Sequence, residues 1–269
     1  MKKLVTILDK KNEIQTLSVT YKPSVIIANS FESAEELGQV VKRLGYKVGY
    51  TAHDWPRDYL ISFNDKYIAR NPGNRAIAEG GCFVFGKDYL IFSENIVTLN
   101  SKTDSKKRIL RNTLEQFFEV PVYSITGYYS PKGLMRHIDL TLLPIPQREM
   151  LIVDNRHYIQ ATHAFKQIAK AQHLELVVAK HCSLWALNCL VLEYQSNPVV
   201  IANDETTPFL KLLDELKLDY EMVTADTSPL AGGSIRCRTN TAANIELFKE
   251  FGFEYTSRFK AENDSFFLK

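Results

Sequence analysis

An excess of charge is what this chain most plainly lacks: 33 basic residues against 31 acidic ones leave a net charge of +2 over 269 residues. So balanced a surface has no field to gather polyanions, which argues against nucleic acid and anionic membrane as partners. Long apolar runs are missing too. Nothing approaches the roughly 20 residues of a membrane helix, and charges interrupt the N-terminal MKKLVTILDKKNEIQ before it can form a secretory core. Cysteine is scarce. Cys82, Cys182, Cys189 and Cys237 show no CxxC spacing, so neither a zinc site nor a disulfide framework is indicated, no metal or other cofactor is expected, and a reducing cytoplasm fits best.

Linkers are absent as well, for no Pro/Gly/Ser-rich or low-complexity stretch divides residues 1–269, and one domain is the simplest reading. What the chain does have is a recurring pattern in which an amphipathic helix end passes through a break into a β-rich run. It occurs five times, as VVKRLGYKVGYT, TLEQFFEVPVYSI, QIAKAQHLELVVA, KLLDELKLDYEMV and ELFKEFGFEYTSR. Between the copies lie paired strand-like runs such as CFVFG with YLIFS and IDLTLLPI with EMLIVD, joined by turn residues such as Phe63-Asn64-Asp65-Lys66 and Gly86-Lys87-Asp88. Strand, strand, helix, strand modules of irregular spacing predict a mixed α/β architecture packed around a common centre, not a fixed-period solenoid.

Four polar clusters interrupt these runs. HDWPRDYLI (53–61) crowds charge between two strands, with Pro56 restraining the turn. RAIAEGGC (75–82) sets Glu79 directly before two glycines and an apolar strand, where backbones approach closely. In MRHIDLTLL (135–143), a strand would put His137 and Asp139 on one face and Ile138 and Leu140 on the other. AGGSIRCRTN (231–240) places Cys237 between Arg236 and Arg238, and flanking positive charge favours the nucleophilic thiolate. Cys182 stands beside His181, but neighbours in a strand point apart, so it reads as structural; Cys82 and Cys189, inside apolar runs, read as core.

A thiolate, an imidazole and several carboxylates suit either acyl transfer or attack on a cationic carbon. Two carboxylates beside the thiolate match the donor fork of a guanidinium. Attack by Cys237, with His137 protonating the departing nitrogen, would leave a covalent amidino-thioether.

At this point the residues resemble the guanidino-group-modifying enzymes: arginine, agmatine and peptidylarginine deiminases and the amidinotransferases. The resemblance rests on PRDYLI, EGG, RHIDLTLL and GGSIRCRT in that order, with LNCLVLEYQSNPVVIANDETTPFLKLLDELKLDYEMV before the last, from about Trp55 to Asn240. It implies a five-bladed ββαβ α/β-propeller, the pentein fold, with pseudo-fivefold blades around a central cavity. It further implies Cys237 as nucleophile, His137 as general acid and base, Asp58 and Asp139 as guanidinium-binding carboxylates, and Glu79 as support for the histidine. Arg57, Arg236 and Arg238, with Arg70 and Arg75, are candidates for holding a substrate carboxylate. Many members carry a third glycine where this chain has Ser234 or Ala231. In dimethylarginine hydrolases the histidine lacks a partner aspartate two residues later, so Asp139 favours an unsubstituted guanidino terminus. The implied partner is a small guanidino substrate (arginine, agmatine or peptidyl-arginine); a homodimer is left open. Hydrolase and transferase are not separated by these residues, and a non-catalytic pentein-fold binding protein, an arginine sensor or ribosome-associated factor, is the alternative.

Overall fold

The computed structural model describes residues 2–8, 14–20, 24–58, 60–63, 66–69, 79–96, 104–131, 133–183, 185–203, 207–224, 234–242, 246, 249 and 254–257. The chain divides into two compact units, one of 1–74 with 223–269 and one of 75–222.

In the first unit, β1 (Lys2–Leu8) and β2 (Ile14–Thr20) form an antiparallel pair with Lys2 opposite Thr20. β3 (Ser24–Ala28) is buried at every position, and it is the middle strand of its sheet, which explains why SVIIA reads as a continuous apolar run. Helix α1 (Ala34–Arg43) buries Ala34, Leu37, Val40 and Val41 at helical spacing and carries the chain over to β4 (Lys47–Thr51), parallel to β3. The other neighbour of β3 comes from far along the chain: β18 (Thr239–Ala242) pairs antiparallel, with Thr239 opposite Ile27. β5 (Leu60–Phe63) and β6 (Lys66–Ala69) make the hairpin expected at Phe63 to Lys66.

The second unit repeats one arrangement three times. β7 (Phe83–Phe85) and β8 (Leu90–Ser93) pair antiparallel, and α2 (Asp104–Phe118) leads to β9 (Val122–Ile125), parallel to β8. After the short hairpin of β10 (Tyr128–Ser130) and β11 (Gly133–Met135), β12 (Leu142–Ile145) and β13 (Met150–Asp154) pair antiparallel. There α3 (Asn155–Ala171) leads to β14 (Glu175–Ala179), parallel to β13. Finally β15 (Leu190–Tyr194) and β16 (Asn197–Asn203) are followed by α4 (Thr207–Glu215) and β17 (Asp219–Val223), which pairs with β16. The pleat of β12 and β13 ties these modules together. Leu142, Leu151 and Val153 pack with Val84, Ile91 and Phe165, while Leu143, Ile145 and Ile152 pack with Val200, Phe209 and Leu213.

The first unit holds a fourth copy of this module with its opening strand, β18, supplied from the far end of the sequence. Four of the five expected helix-to-strand repeats are therefore present, and most of the fifth, 246–258, lies outside the described residues. Among the described residues the strands form small sheets of two or three, with no closed barrel.

Each break between helix and strand is built alike, with a left-handed residue at Gly45 (φ 85), Glu119 (φ 58), His173 (φ 53) and Lys217 (φ 53). In three of them the next amide reaches back to the helix, Tyr46 to Val41 O, Leu174 to Ala169 O and Leu218 to Leu213 O, the hydrogen bond of a Schellman cap. Only Gly45 pays nothing for that backbone, since an L side chain loses about 1 kcal/mol or more there. A Cβ at Gly45 would meet no atom within 4 Å, so the cost of Gly45→Ala is conformational alone. Urea unfolding should show Gly45→Ala less stable by about 1 kcal/mol and Lys217→Gly more stable by a few tenths; a neutral Gly45→Ala would refute the cap.

Candidate active site

The second unit carries a cluster made by two 3-10 turns. Glu79 stands in extended conformation (φ −57, ψ 142) just before the turn Gly80–Cys82, whose Cys82 N–H donates to Glu79 O at 2.9 Å. His137, also extended (φ −74, ψ 102), stands just before the turn Ile138–Leu140. The expected strand through His137 and Asp139 is therefore corrected: HIDL turns, and the strand begins only at Leu142. The alternation of apolar and polar residues suggested a strand, but the turn buries Ile138, Asp139 and Leu140 together.

Both side chains nevertheless meet, at Gly81. A Cβ on Gly81 would lie 2.5 Å from His137 Nδ1, 2.8 Å from its Cγ and 3.0 Å from Asp139 Oδ1. The EGG motif is thus a close approach, in which bare backbone lies against the imidazole and the carboxylate. Glu79 Oε2 then reaches His137 Nε2 at 2.5 Å, a charge-assisted contact that fixes the ring when the imidazole is protonated. Asp139 is fully buried, and its carbonyl accepts from the buried Asn188 amide at 3.4 Å.

The first unit carries the other motifs. Pro56–Asp58 is a 3-10 turn with Pro56 buried and Arg57 and Asp58 half-buried; Asp58 N–H donates to Trp55 O at 3.0 Å. Cys237, 6% exposed, lies in a tight turn in which Arg238 N–H faces Ser234 O and Ile235 O at 3.3 and 3.2 Å. Asn240 joins the two turns: its buried amide donates to Pro56 O at 3.0 Å and to Leu60 O at 2.6 Å, bracketing Asp58. Arg238 leans the same way, with its guanidinium 4.0 Å over the Trp55 ring and 3.4 Å from Asp54 O. Arg236 is half-buried, and its carbonyl accepts from Thr239. Arg70, Arg75, Gly232 and Gly233 lie outside the described residues.

The competing thiols are distinguished by their surroundings. Burial, and then the charge of Asp154, push the Cys182 thiol up to about 11 against the opposing pull of Arg156. Its Sγ lies 3.4 Å from Lys180 O, while buried Cys189 donates to Ala186 O at 3.0 Å. Cys189 is buried, as its apolar setting implied, and Cys182 is half-buried.

Asn240 and His157 are the residues that sequence reasoning missed. His157 is fully buried in α3, with Nε2 2.8 Å from Thr126 O and Nδ1 2.7 Å from the Thr141 hydroxyl, itself 3.1 Å from Ile138 O in the turn that carries Asp139. A carbonyl only accepts, so Nε2 bears a proton and donates it to Thr126 O, as the Thr141 hydroxyl donates to Ile138 O. The available signal for Asn240 was a polar residue beginning a strand beside the candidate cysteine.

No family model and no curated protein matches the chain. Its fold, however, is that of the guanidino-group-modifying enzymes, the pentein fold expected from the motifs. Among solved structures it is similar to an amidinotransferase of the saxitoxin biosynthetic pathway from Microseira wollei, at 15% identity and TM-score 0.58, covering 78% of each chain. It is also similar to the dimethylarginine dimethylaminohydrolase of Pseudomonas aeruginosa, at 12% identity and TM-score 0.55, covering 83% of this chain and 100% of that one. An agmatine deiminase from C. jejuni matches at 13% identity and TM-score 0.54, with 83% and 94% covered.

Two outcomes follow from the supports. Asn240→Ala leaves two buried carbonyls without their donor and should cost about 2 kcal/mol, with faster hydrogen exchange at the Asp58 amide; unchanged exchange there would dismiss the latch. Burial holds His157 below its usual range despite the raising effects of Thr126 and Asp154. The unfolded chain then binds a proton that the folded chain does not, so stability is intact above the unfolded value near 6.5 and falls as pH drops through it. His157→Gln, which keeps a donor and an acceptor, should flatten that decline between about pH 7.5 and about 5; an unchanged slope would contradict the assignment.

Proposed function

We propose that this chain is a cysteine-dependent guanidino-group-modifying enzyme acting on arginine or a related small guanidino compound. The observation that carries the reading is the Glu79–His137 pair laid over Gly81 beside buried Asp139, on a fold shared with amidinotransferases and deiminases. A five-bladed propeller is the arrangement that the four ββαβ modules support, with residues 1–269 read as one catalytic domain.

The chemistry runs in two halves. Asp58 and Asp139 pair with the guanidinium N–H groups, and the bound cation favours the Cys237 thiolate. Sulfur attacks the central carbon, the π pair moves onto a nitrogen, and protonated His137 donates its proton to the departing nitrogen as the C–N bond breaks. The amidino-thioether that remains is attacked either by water or by an amine, whose proton His137 accepts, and the thiolate leaves. Water gives a ureido or urea product and an amine gives a new guanidino compound. Glu79 holds the ring and stabilises its protonated form throughout. Free thiols in all four cysteines suit a reducing cytoplasm.

Incubation with arginine, agmatine and a peptidyl-arginine, with and without glycine, tests the reading. Ureido product and ammonia identify a hydrolase; ornithine and guanidinoacetate, formed only when glycine is added, identify a transferase. Cys237→Ser should lower turnover by at least about 10³-fold. Absence of product together with failure of a haloacetamidine to label Cys237 would refute it in favour of a non-catalytic binder.

A further inference from the structure

Cys82 reads from sequence as a core residue and is 3% exposed, yet its sulfur does not face the core alone. In a 3-10 turn, residues three apart stack on one side, so the turn that follows Glu79 brings Cys82 under the same edge as the Glu79 carboxylate. His137 enters from the neighbouring turn. One ligand atom from each of Glu79, Cys82 and His137 then lies within 4.8 Å of the other two. We propose that these three residues form a binding site for a borderline divalent cation, zinc above all.

The donor set selects the metal. A thiolate and an imidazole disfavour magnesium and calcium, which take oxygen ligands, and favour zinc or cobalt. Around tetrahedral zinc, bonds of about 2.0 to 2.3 Å separate ligand atoms by about 3.3 to 3.6 Å. Glu79 Oε2 and His137 Nε2, at 2.5 Å, must part by less than about 1 Å as the metal takes the place of the shared proton. The Glu79 and His137 side chains are 48% and 27% exposed, which gives an ion access, and Cys82 is 3% exposed. Three protein ligands leave the fourth position to water. The step is a proton exchange without redox change, in which Cys82–SH loses its proton, a Cys82–S–metal bond forms and imidazole nitrogen binds neutral.

One consequence rests on the catalytic reading above: an imidazole that holds metal on one nitrogen cannot become the imidazolium that protonates the departing nitrogen, so zinc would switch the enzyme off reversibly. The site itself does not depend on that reading, and its test needs no turnover. Cobalt(II) is added to the reduced full-length chain, and the thiolate-to-cobalt charge-transfer absorption is followed, with zinc as competitor. The band should appear at one cobalt per chain in the native protein and in Cys237→Ser, vanish in Cys82→Ser, and bleach as zinc is added. Glu79→Gln should weaken cobalt binding by at least about tenfold, which serves should Cys82→Ser fail to fold by circular dichroism. A band that persists in Cys82→Ser, disappears in Cys237→Ser or never forms would overturn the proposal, as would unchanged affinity in Glu79→Gln. In a turnover assay, zinc should inhibit the native protein and leave Cys82→Ser uninhibited. If cobalt binds as described but no guanidino compound is turned over, the metal site stands and the catalytic reading fails.

Discussion

The contact between the Glu79 carboxylate and the His137 imidazole, made across the bare backbone of Gly81, is the constraint around which the second unit's chemistry is arranged. A side chain at Gly81 would occupy the space of the ring. The glycine therefore serves the histidine more than it serves the turn. Around this contact, support is layered inward: Thr141 and His157 lie behind the turn after His137, and Asn188 holds the carbonyl of Asp139. Such packing holds the His137 turn in one geometry.

The ββαβ module supplies the rigid frame. Three copies are continuous in sequence, and the fourth is closed by β18 immediately after the Cys237 turn. That closure sets the Cys237 turn directly before β18, the strand beside β3, and lets Asn240 hold the Asp58 turn with its side chain. The same left-handed break after each described helix, with the cap hydrogen bond in three of the four, shows that the modules share backbone geometry even where residues differ, with glycine at Gly45 but Glu119, His173 and Lys217 elsewhere.

Much of this was legible in local pattern. Hairpins at Phe63 to Lys66 and Phe85 to Leu90 and four helix-to-strand units stand where alternation, periodicity and turn residues put them. Pairing of β18 with β3 was not legible, since Thr239 and Ile27 lie at opposite ends of the chain and no local signal records their partnership. The HIDL segment was read with the wrong geometry: it is a 3-10 turn that buries Ile138, Asp139 and Leu140 alike, where a strand would set Asp139 on the face opposite its two neighbours. Cys82 was read as core and is buried, but its nearness to Glu79 and His137 depends on two adjacent turns that sequence spacing does not bring together. The N-terminal β1 was assessed only as a targeting segment, and its strand was missed.

The central claim is that Cys237 becomes covalently bound to the substrate's guanidino carbon while His137, held by Glu79, manages the protons. Rapid acid quenching during turnover of arginine or agmatine, followed by peptide mass analysis, tests it most directly. The account predicts an amidino-type adduct on the Cys237 peptide that forms and decays with product. Turnover with no adduct there, or an adduct on Cys82 or Cys182 instead, would contradict it.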